Sequence, residues 1–226
     1  MGQAPSTSEI EKFGRPSAVD LILEASHVSS GLIEKIFGPC IKRRHKSWSR
    51  ELRAVLVFVE QKIGELAFRQ LAHDDHFLSL VLEANEIASR NHDETKLGAL
   101  RNAVANAGLP GAPAHEIQPL FLRLVDYFTP LHLTALQVLN DPGLWLELNN
   151  LDRTRWRVGS ASAVLESCIP VLRGKTDLSE LVVRDLQNAG LVQQGSFMHI
   201  VLTGDGVLQG RTTDTGRTFV RFISQE

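Results

Sequence analysis

The sequence predicts a mainly α-helical protein that ends in a smaller module of mixed helices and strands. Apolar residues recur at helical spacing through most of residues 17–142, whereas short segments of changing type follow from about residue 150. The turn signals Asp141-Pro142-Gly143 and Asn149-Asn150 lie between these two textures. We therefore expect a helical domain over residues 17–142 and a second domain over residues 150–226.

The predicted helical domain follows a polar segment and contains about six helices. Residues 1–16 hold too few apolar groups to offset the entropy of ordering, so we expect them to be disordered. Short helices should start near Ser17 and near Ser29 or Ser30, and Gly38-Pro39 should break the path that follows. The one long helix is expected over about residues 40–72, where a single apolar stripe contains Leu52, Val55, Leu56, Val59, Ile63 and Leu66.

Capping residues separate the remaining helices of this domain. Asp74 or Asp75 is a natural N-cap for the next helix, and Asn91 and Asp93 precede the helix that ends near Gly108. Thr129-Pro130 should start a further helix over residues 131–139. Between them, residues from about 115 to 128 show the cleanest helical pattern, with an apolar face of Ile117, Leu120, Phe121, Leu124, Val125 and Phe128.

The C-terminal module is predicted to alternate short helices and short strands. We expect helices over residues 160–172 and 177–188, and a closing helix capped by Thr215. Three short strands are expected over Leu191–Gln194, Met198–Thr203 and Val207–Thr213, with Gly204-Asp205-Gly206 as the turn between the last two.

The local sequence of this module resembles the winged-helix superfamily. Leu181, Leu186 and Ala189-Gly190-Leu191-Val192 resemble the L-x-x-L-x-x-x-G-L-I end of a recognition helix that runs into the wing. Thr215-Gly216-Arg217-Thr218-Phe219 resembles the L-T-x-x-G-x-x-F that follows the wing in many such modules. Gly190 lies where a helix needs a left-handed residue after its last turn. The resemblance implies a winged-helix-like α+β fold over about residues 150–226.

The whole arrangement is also similar to the uncharacterised bacterial proteins grouped as abortive-infection alpha type. In those proteins a helical run leads to a similar ending of helix, G-L-I, strand and T-x-x-G-x-x-F. The N-terminal similarity is one of texture, carried by Lys96-Leu97, by Leu100-Arg101-Asn102-Ala103 and by Asn106. The resemblance implies a bacterial protein with a role in phage defence, and it brings no catalytic residues with it.

Composition limits the classes of function. A net charge of −2 excludes coating of nucleic acid by overall charge, so any such contact must be a local patch. Cys40 and Cys168 are too few for a disulfide framework or a zinc site and indicate reduced thiols in a cytoplasm. No apolar run approaches the roughly 18 residues that a spanning helix needs. We expect a cytoplasmic protein that has no membrane span and binds no cofactor.

One candidate binding site is a basic stripe in the predicted long helix. It consists of Lys42, Arg43, Lys46, Arg50 and Arg53, spaced so that they share one helix face away from Leu52 and Val59. The stripe fits a nucleic acid, anionic lipid headgroups or an acidic partner. The alternative is a solvated face whose charges pair with acids of a neighbouring helix, such as Glu83 and Glu86.

A second basic group lies just before the C-terminal module. Arg153, Arg155 and Arg157 interleave with Trp156, and wing residues near Arg211 would complete a DNA contact. The alternative is a solvated linker with Trp156 packed inward. The predicted recognition helix opposes DNA, because residues 177–188 carry Asp177, Glu180 and Asp185 against Arg184 alone.

Candidate chemistry is sparse. His73 and His76 in the sequence His-Asp-Asp-His are weak metal candidates, because the two aspartates are equally suited to capping a helix. No G-x-S-x-G, phosphate-binding loop or cysteine motif occurs. We therefore expect a non-catalytic binding or scaffold protein that contacts a protein partner or a second copy of itself. Two alternatives stay open: a regulator that binds duplex DNA, and an enzyme with an unfamiliar site.

Overall fold

The computed structural model describes residues 33–225, with side chains described from Lys42 onwards, and it confirms that the protein is mainly α-helical. The segments predicted for residues 1–32, namely the disordered stretch and the helices near Ser17 and Ser29, lie outside this range. The described part contains one two-stranded antiparallel sheet and ten α-helices: α1 (Ile33–Ile63), α2 (Glu65–Leu71), α3 (Asp75–Arg90), α4 (Glu94–Ala107), α5 (Gln118–Tyr127), α6 (Pro130–Asn140), α7 (Pro142–Leu148), β1 (Val158–Gly159), α8 (Ala161–Cys168), α9 (Thr176–Asn188), β2 (Leu202–Thr203) and α10 (Asp214–Ile223).

The described residues form two compact units whose limits differ from the predicted domains. Residues 33–92 and 103–119 form the N-terminal unit, and residues 93–102 and 120–225 form the C-terminal unit. The predicted gap between domains, from 143 to 149, is occupied by α7 inside the C-terminal unit. None of the helices in residues 33–225 combines the length and hydropathy that crossing a membrane requires.

The long helix of the N-terminal unit is real, but its limits differ from the prediction. It runs through Gly38-Pro39 without ending and stops at Ile63, because Gly64 adopts a φ of 85° that an α-helix cannot contain. The predicted stripe is buried at Leu52, Leu56 and Val59. Leu66, which follows the break, is 76% exposed because the interruption at Gly64 takes it out of that stripe.

Helix α3 begins at a side-chain cap, as the sequence predicted. The carboxylate of Asp74 accepts a hydrogen bond of 2.8 Å from the backbone N–H of Phe77, and Asp75 is the first residue of the helix. The helix then buries Phe77, Val81 and Ala84 against the N-terminal unit's core. Asp93 caps α4 in the same way, since its carboxylate accepts from the N–H groups of Thr95 and Lys96. Asn91 instead ends α3, where its side chain donates to the carbonyl of Ile87.

Replacing Asp74 with alanine is expected to lower the free energy of unfolding by about 1 kcal/mol, because the N–H of Phe77 loses its acceptor. Urea unfolding followed by circular dichroism measures the change. Asp75→Ala is the matched control: it removes the neighbouring carboxylate but no capping bond, and it should cost clearly less. An equal loss from both variants would show that the first-turn charge, and not the cap, stabilises this helix start.

The core of the C-terminal unit is built around α6. This helix buries residues on most of its circumference and packs against α8, α9 and α10. Helix α10 contributes Phe219, whose ring meets that of Phe121 edge-on at 5.1 Å. The buried side chain of Lys96 donates to the carbonyl of Asp126, which helps to satisfy the C-terminal end of α5.

A close junction joins the end of α9 to the start of α10. Gly190 has a φ of 73°, as predicted, and the chain turns there so that Leu191 is fully buried. The cap of α10 is Thr213 and not Thr215: its hydroxyl donates to the carbonyl of Gly190 at 2.6 Å and accepts from the N–H of Gly216 at 3.0 Å. Gly216 is pressed against the carbonyl of Leu191, so a Cβ at this position would lie 1.9 Å from that oxygen.

The predicted strands of the C-terminal module are mostly wrong. Leu191–Gln194 and Val207–Thr213 contribute one isolated bridge, between Val192 and Thr212. Met198–Thr203 is a strand only at Leu202 and Thr203, and it pairs with β1, which was not predicted. Gly204-Asp205-Gly206 begins a 3₁₀ helix over Gly204–Leu208 and is not a hairpin turn. The segment runs instead along the end of α6, where the N–H of Arg211 donates to the carbonyl of Leu139 at 2.7 Å.

Two further sequence expectations are corrected by burial and by capping. Asp141-Pro142-Gly143 is a helix start and not a turn, because Asp141 accepts from the N–H of Leu144 and Pro142 takes the first helical position. On α5, Phe121, Val125 and Phe128 are buried as predicted, but Leu120 is 54% exposed. The sequence pattern placed the buried face of this helix too far toward Leu120, and Leu122 is buried in its place.

Candidate functional site

The basic stripe of α1 has the geometry that its spacing predicted. All five side chains are exposed, and the stripe spans about 17 Å at 1.5 Å per residue. The opposite side of the helix is buried in the N-terminal unit through Trp48, Leu52, Leu56 and Val59. The stripe is therefore held on a fixed scaffold and presented to solvent.

The acids proposed to neutralise the stripe are engaged elsewhere or flank it. Glu86 forms its ion pair within α3, with Arg90 at 3.9 Å. Glu51, the one acid between residues 42 and 53, accepts a hydrogen bond from the hydroxyl of Ser47 at 3.0 Å. Within residues 42–225, where side chains are described, Arg43, Lys46 and Arg50 have no ion-pair partner. The stripe thus retains most of its charge at the surface.

The arginines before β1 are only partly available. Arg153 pairs with Glu147 of α7 at 2.6 Å, whereas Arg155 and Arg157 are exposed. Asp152 accepts hydrogen bonds from the hydroxyl and the N–H of Thr154, which lower the pKa of this carboxyl, with the charge of Arg155 adding to the effect. An aspartate that stays ionised beside these arginines reduces the positive charge of the group.

Two other residues of the predicted DNA contact have structural roles. Trp156 is half-buried and packs on Gly159, where a Cβ would lie 3.2 Å from its ring. Arg211 is turned into the C-terminal unit, where its guanidinium donates to the carbonyl of Gly206 at 3.2 Å and lies over the ring of Phe197. The structure therefore does not present Arg211 as a free cation for a phosphate.

The helix predicted to act in recognition, α9, presents acids to solvent. Asp177 and Glu180 are exposed, and Glu180 contacts His199 at 2.8 Å. Leu181 is 42% exposed beside them. Arg184 is the one arginine or lysine of this helix. A mixed acidic and apolar surface of this kind suits a protein better than a phosphate backbone.

The histidine tetrad does not assemble a metal site from its own members. Asp74 is committed to the cap of α3, and the ring of His76 stacks on that of His115 at 5.0 Å. Among the residues that the structure describes, no group of three or more histidines, cysteines or acids is placed to hold a metal ion. The pairing of His76 with His115 had no signal in the sequence, because the residues are 39 positions apart.

Sequence reasoning also missed a hydroxyl, an imidazole and a carboxylate in a row. The hydroxyl of Thr129 lies 2.7 Å from Nδ1 of His132, whose Nε2 is 3.5 Å from the carboxylate of Asp185. Nε2 makes no hydrogen bond within residues 42–225, so the carboxylate does not orient the ring as a hydrolase would require. The row ties the first turn of α6 to α9 and supports no nucleophile. Burial likewise raises the pKa of the Cys168 thiol to about 11, which keeps it protonated at neutral pH.

A cluster of exposed leucines emerges on α7 and the residues after it. Leu144, Leu148 and Leu151 are exposed by 50%, 71% and 38%, and the first two lie four residues apart on one side of the helix. Glu147 and Arg153 form their ion pair beside them, and Asn149 and Asn150 are exposed. We call Leu144, Leu148 and Leu151 the leucine patch. The sequence gave no sign of it, because its helix was taken for a turn.

Comparisons with known proteins add no relative: no protein-family model, no curated protein and no solved structure matches the chain.

Proposed function

We propose that the protein is a non-catalytic binding protein that acts through protein–protein contacts, with the leucine patch as its contact surface. The observation that carries the proposal is the exposure of three leucines within eight residues, with one side chain 71% exposed. Burying a leucine fully stabilises by about 1.5–3 kcal/mol, so a partner that covers the patch gains substantially. The Glu147–Arg153 pair and the two asparagines supply the polar rim that protein interfaces have.

The winged-helix fold belongs to this proposal and not to the DNA hypothesis alone. Its support is the junction after α9, where Gly190 is left-handed and Thr213, Gly216 and Phe219 occupy the T-x-x-G-x-x-F positions. We propose that this module serves protein contact, with a role in phage defence as the resemblance implies. The DNA-binding regulator is the second candidate, and it is favoured by the exposure of Arg155 and Arg157.

Photo-crosslinking in the cells that produce the protein tests the leucine patch. A benzoyl-phenylalanine at Leu148 should give covalent products with a protein, because this side chain is 71% exposed and would lie at the centre of the contact. The same group at Gln209, which is also exposed in the C-terminal unit, is the matched control and should give none of these products. Mass determination distinguishes a second copy of the chain from another protein, and light scattering of the purified chain checks self-association.

A second substitution separates contact from proximity. Leu144→Asp combined with the probe at Leu148 should abolish the products, since the patch becomes charged while an acid in the first turn of α7 suits the helix. Equal products from the probes at Leu148 and Gln209, or products that survive Leu144→Asp, would contradict the proposal.

A further inference from the structure

We propose that the basic stripe of α1 binds the phosphate backbone of duplex DNA without reading its sequence. This is a site separate from the leucine patch, and it does not rest on the proposed function. The argument begins with charge: six basic residues between positions 42 and 53 face one acid, in a chain whose net charge is −2. Such local concentration against the overall sign marks a surface that attracts an anion.

The spacing of the stripe suits a linear array of charges. Lys42, Lys46 and Arg50 follow each other at four-residue intervals, or about 6 Å along the helix axis. Arg43 and Arg53 lie on the same side, so the cations follow a straight line of about 17 Å. Duplex DNA offers one negative charge per about 1.7 Å of its axis, so several phosphates fall within this length.

The burial of the opposite helix face makes the stripe rigid and distinguishes it from a lipid-binding helix. A helix that lies on a membrane inserts its apolar side among the lipid chains. Here that side is already occupied, because Trp48, Leu52 and Leu56 are buried in the N-terminal unit. The next exposed aromatic, Phe58, lies beyond the stripe, and the ammonium of Lys62 lies over its ring. No bulky apolar side chain remains exposed between residues 42 and 53 for insertion.

The same composition disfavours a protein partner at this surface. Stable protein interfaces have an apolar centre within a polar rim, whereas the exposed side of residues 42–53 carries arginine, lysine, serine and alanine. Arg43, Lys46 and Arg50 are exposed and have no ion pair with any residue whose side chain the structure describes. These three therefore make the phosphate contacts on which the proposal depends, and all base edges remain unread.

Fluorescence anisotropy with two labelled 20-bp duplexes of unrelated sequence tests the proposal on the full chain. We expect equal affinity for both duplexes and a loss of about 40-fold between 50 mM and 200 mM salt, the value for three released counterions. The variant Arg43→Ala/Lys46→Ala/Arg50→Ala should bind at least about tenfold more weakly at 50 mM salt and show a shallower salt dependence. Circular dichroism checks that it folds, which alanine at exposed helix positions favours.

Two matched variants and a vesicle arm make the outcome decisive. Arg155→Ala/Arg157→Ala removes two exposed arginines of the C-terminal unit and should leave DNA affinity within about twofold of wild type. Arg43→Lys/Lys46→Arg/Arg50→Lys keeps the charge and should retain binding, since a phosphate contact needs charge and not a base-specific fork. Absence of binding at 50 mM salt, retention of affinity by the triple alanine variant, or tighter binding to phosphatidylserine vesicles than to DNA would each overturn the proposal. Loss of binding in Arg155→Ala/Arg157→Ala alone would also overturn it, in favour of the C-terminal unit.

Discussion

Replacing Gly216 with alanine is expected to lower the free energy of unfolding by about 3 kcal/mol, a large effect for a single methyl group. The added Cβ would lie 1.9 Å from the carbonyl oxygen of Leu191 and 2.9 Å from its carbon, both of them backbone atoms that cannot rotate away. Two hydrogen bonds of Thr213, to the carbonyls of Gly190 and Leu191, hold these segments together. The chain must therefore break the junction or displace α10.

Urea unfolding followed by tryptophan fluorescence measures this change. Gly206→Ala is the matched control, because Gly206 lies in the same unit and its new Cβ would meet only the Leu202 side chain, at 3.7 Å. That variant should stay within about 0.5 kcal/mol of wild type. Neither glycine has a positive φ, so the comparison isolates the steric contact. If both variants unfold at the wild-type urea concentration, Leu191 is not held against residue 216.

The Gly216 junction also shows what the sequence could predict of this fold. Local rules found Gly190 as a left-handed helix end and Asp74 as a cap, because both depend on residues within one turn. The motif that includes Gly216 was noticed, but its cap was assigned to Thr215 instead of Thr213. The choice between them is tertiary, since Thr213 also reaches the carbonyl of Gly190, 23 residues earlier.

The predicted strands failed for a related physical reason. Val207–Thr213 has the residue types of a strand, but its N–H groups and side chains are used by the end of α6, where Thr212 donates to the Asn140 side chain. Asp141-Pro142-Gly143 was ambiguous in the same way, because aspartate followed by proline starts both turns and helices. Only the packing of α7 against α6 distinguishes them.

The candidate sites divide along the same line. The basic stripe was predictable because a helix fixes the relative positions of residues 42–53 with no help from the rest of the chain. The arginines before β1 were not, since Arg153 finds Glu147 and Arg211 finds Phe197 only after folding. The leucine patch was missed entirely, because exposure is decided by what packs on α7 and leaves no periodic signal in a seven-residue helix.

Replacing Phe219 with alanine is expected to cost about 3–5 kcal/mol, the largest core effect that we predict. The side chain is fully buried, and its ring contacts Phe121 edge-on at 5.1 Å, so truncation leaves a cavity lined by rigid neighbours. Urea unfolding measures the loss, and Tyr127→Ala is the matched control, because that aromatic is 73% exposed and should change stability little.

A double-mutant cycle tests whether the aromatic contact itself contributes. Phe121→Ala and Phe219→Ala should be non-additive by about 0.5–1.5 kcal/mol, because each removes the partner of the other. Strict additivity would mean that the two rings only fill space independently. Non-additivity would connect α5 to α10 through a specific contact, which explains why a phenylalanine three residues after Gly216 is needed: the glycine lets α10 approach Leu191, and the ring then anchors it on α5 within the C-terminal unit.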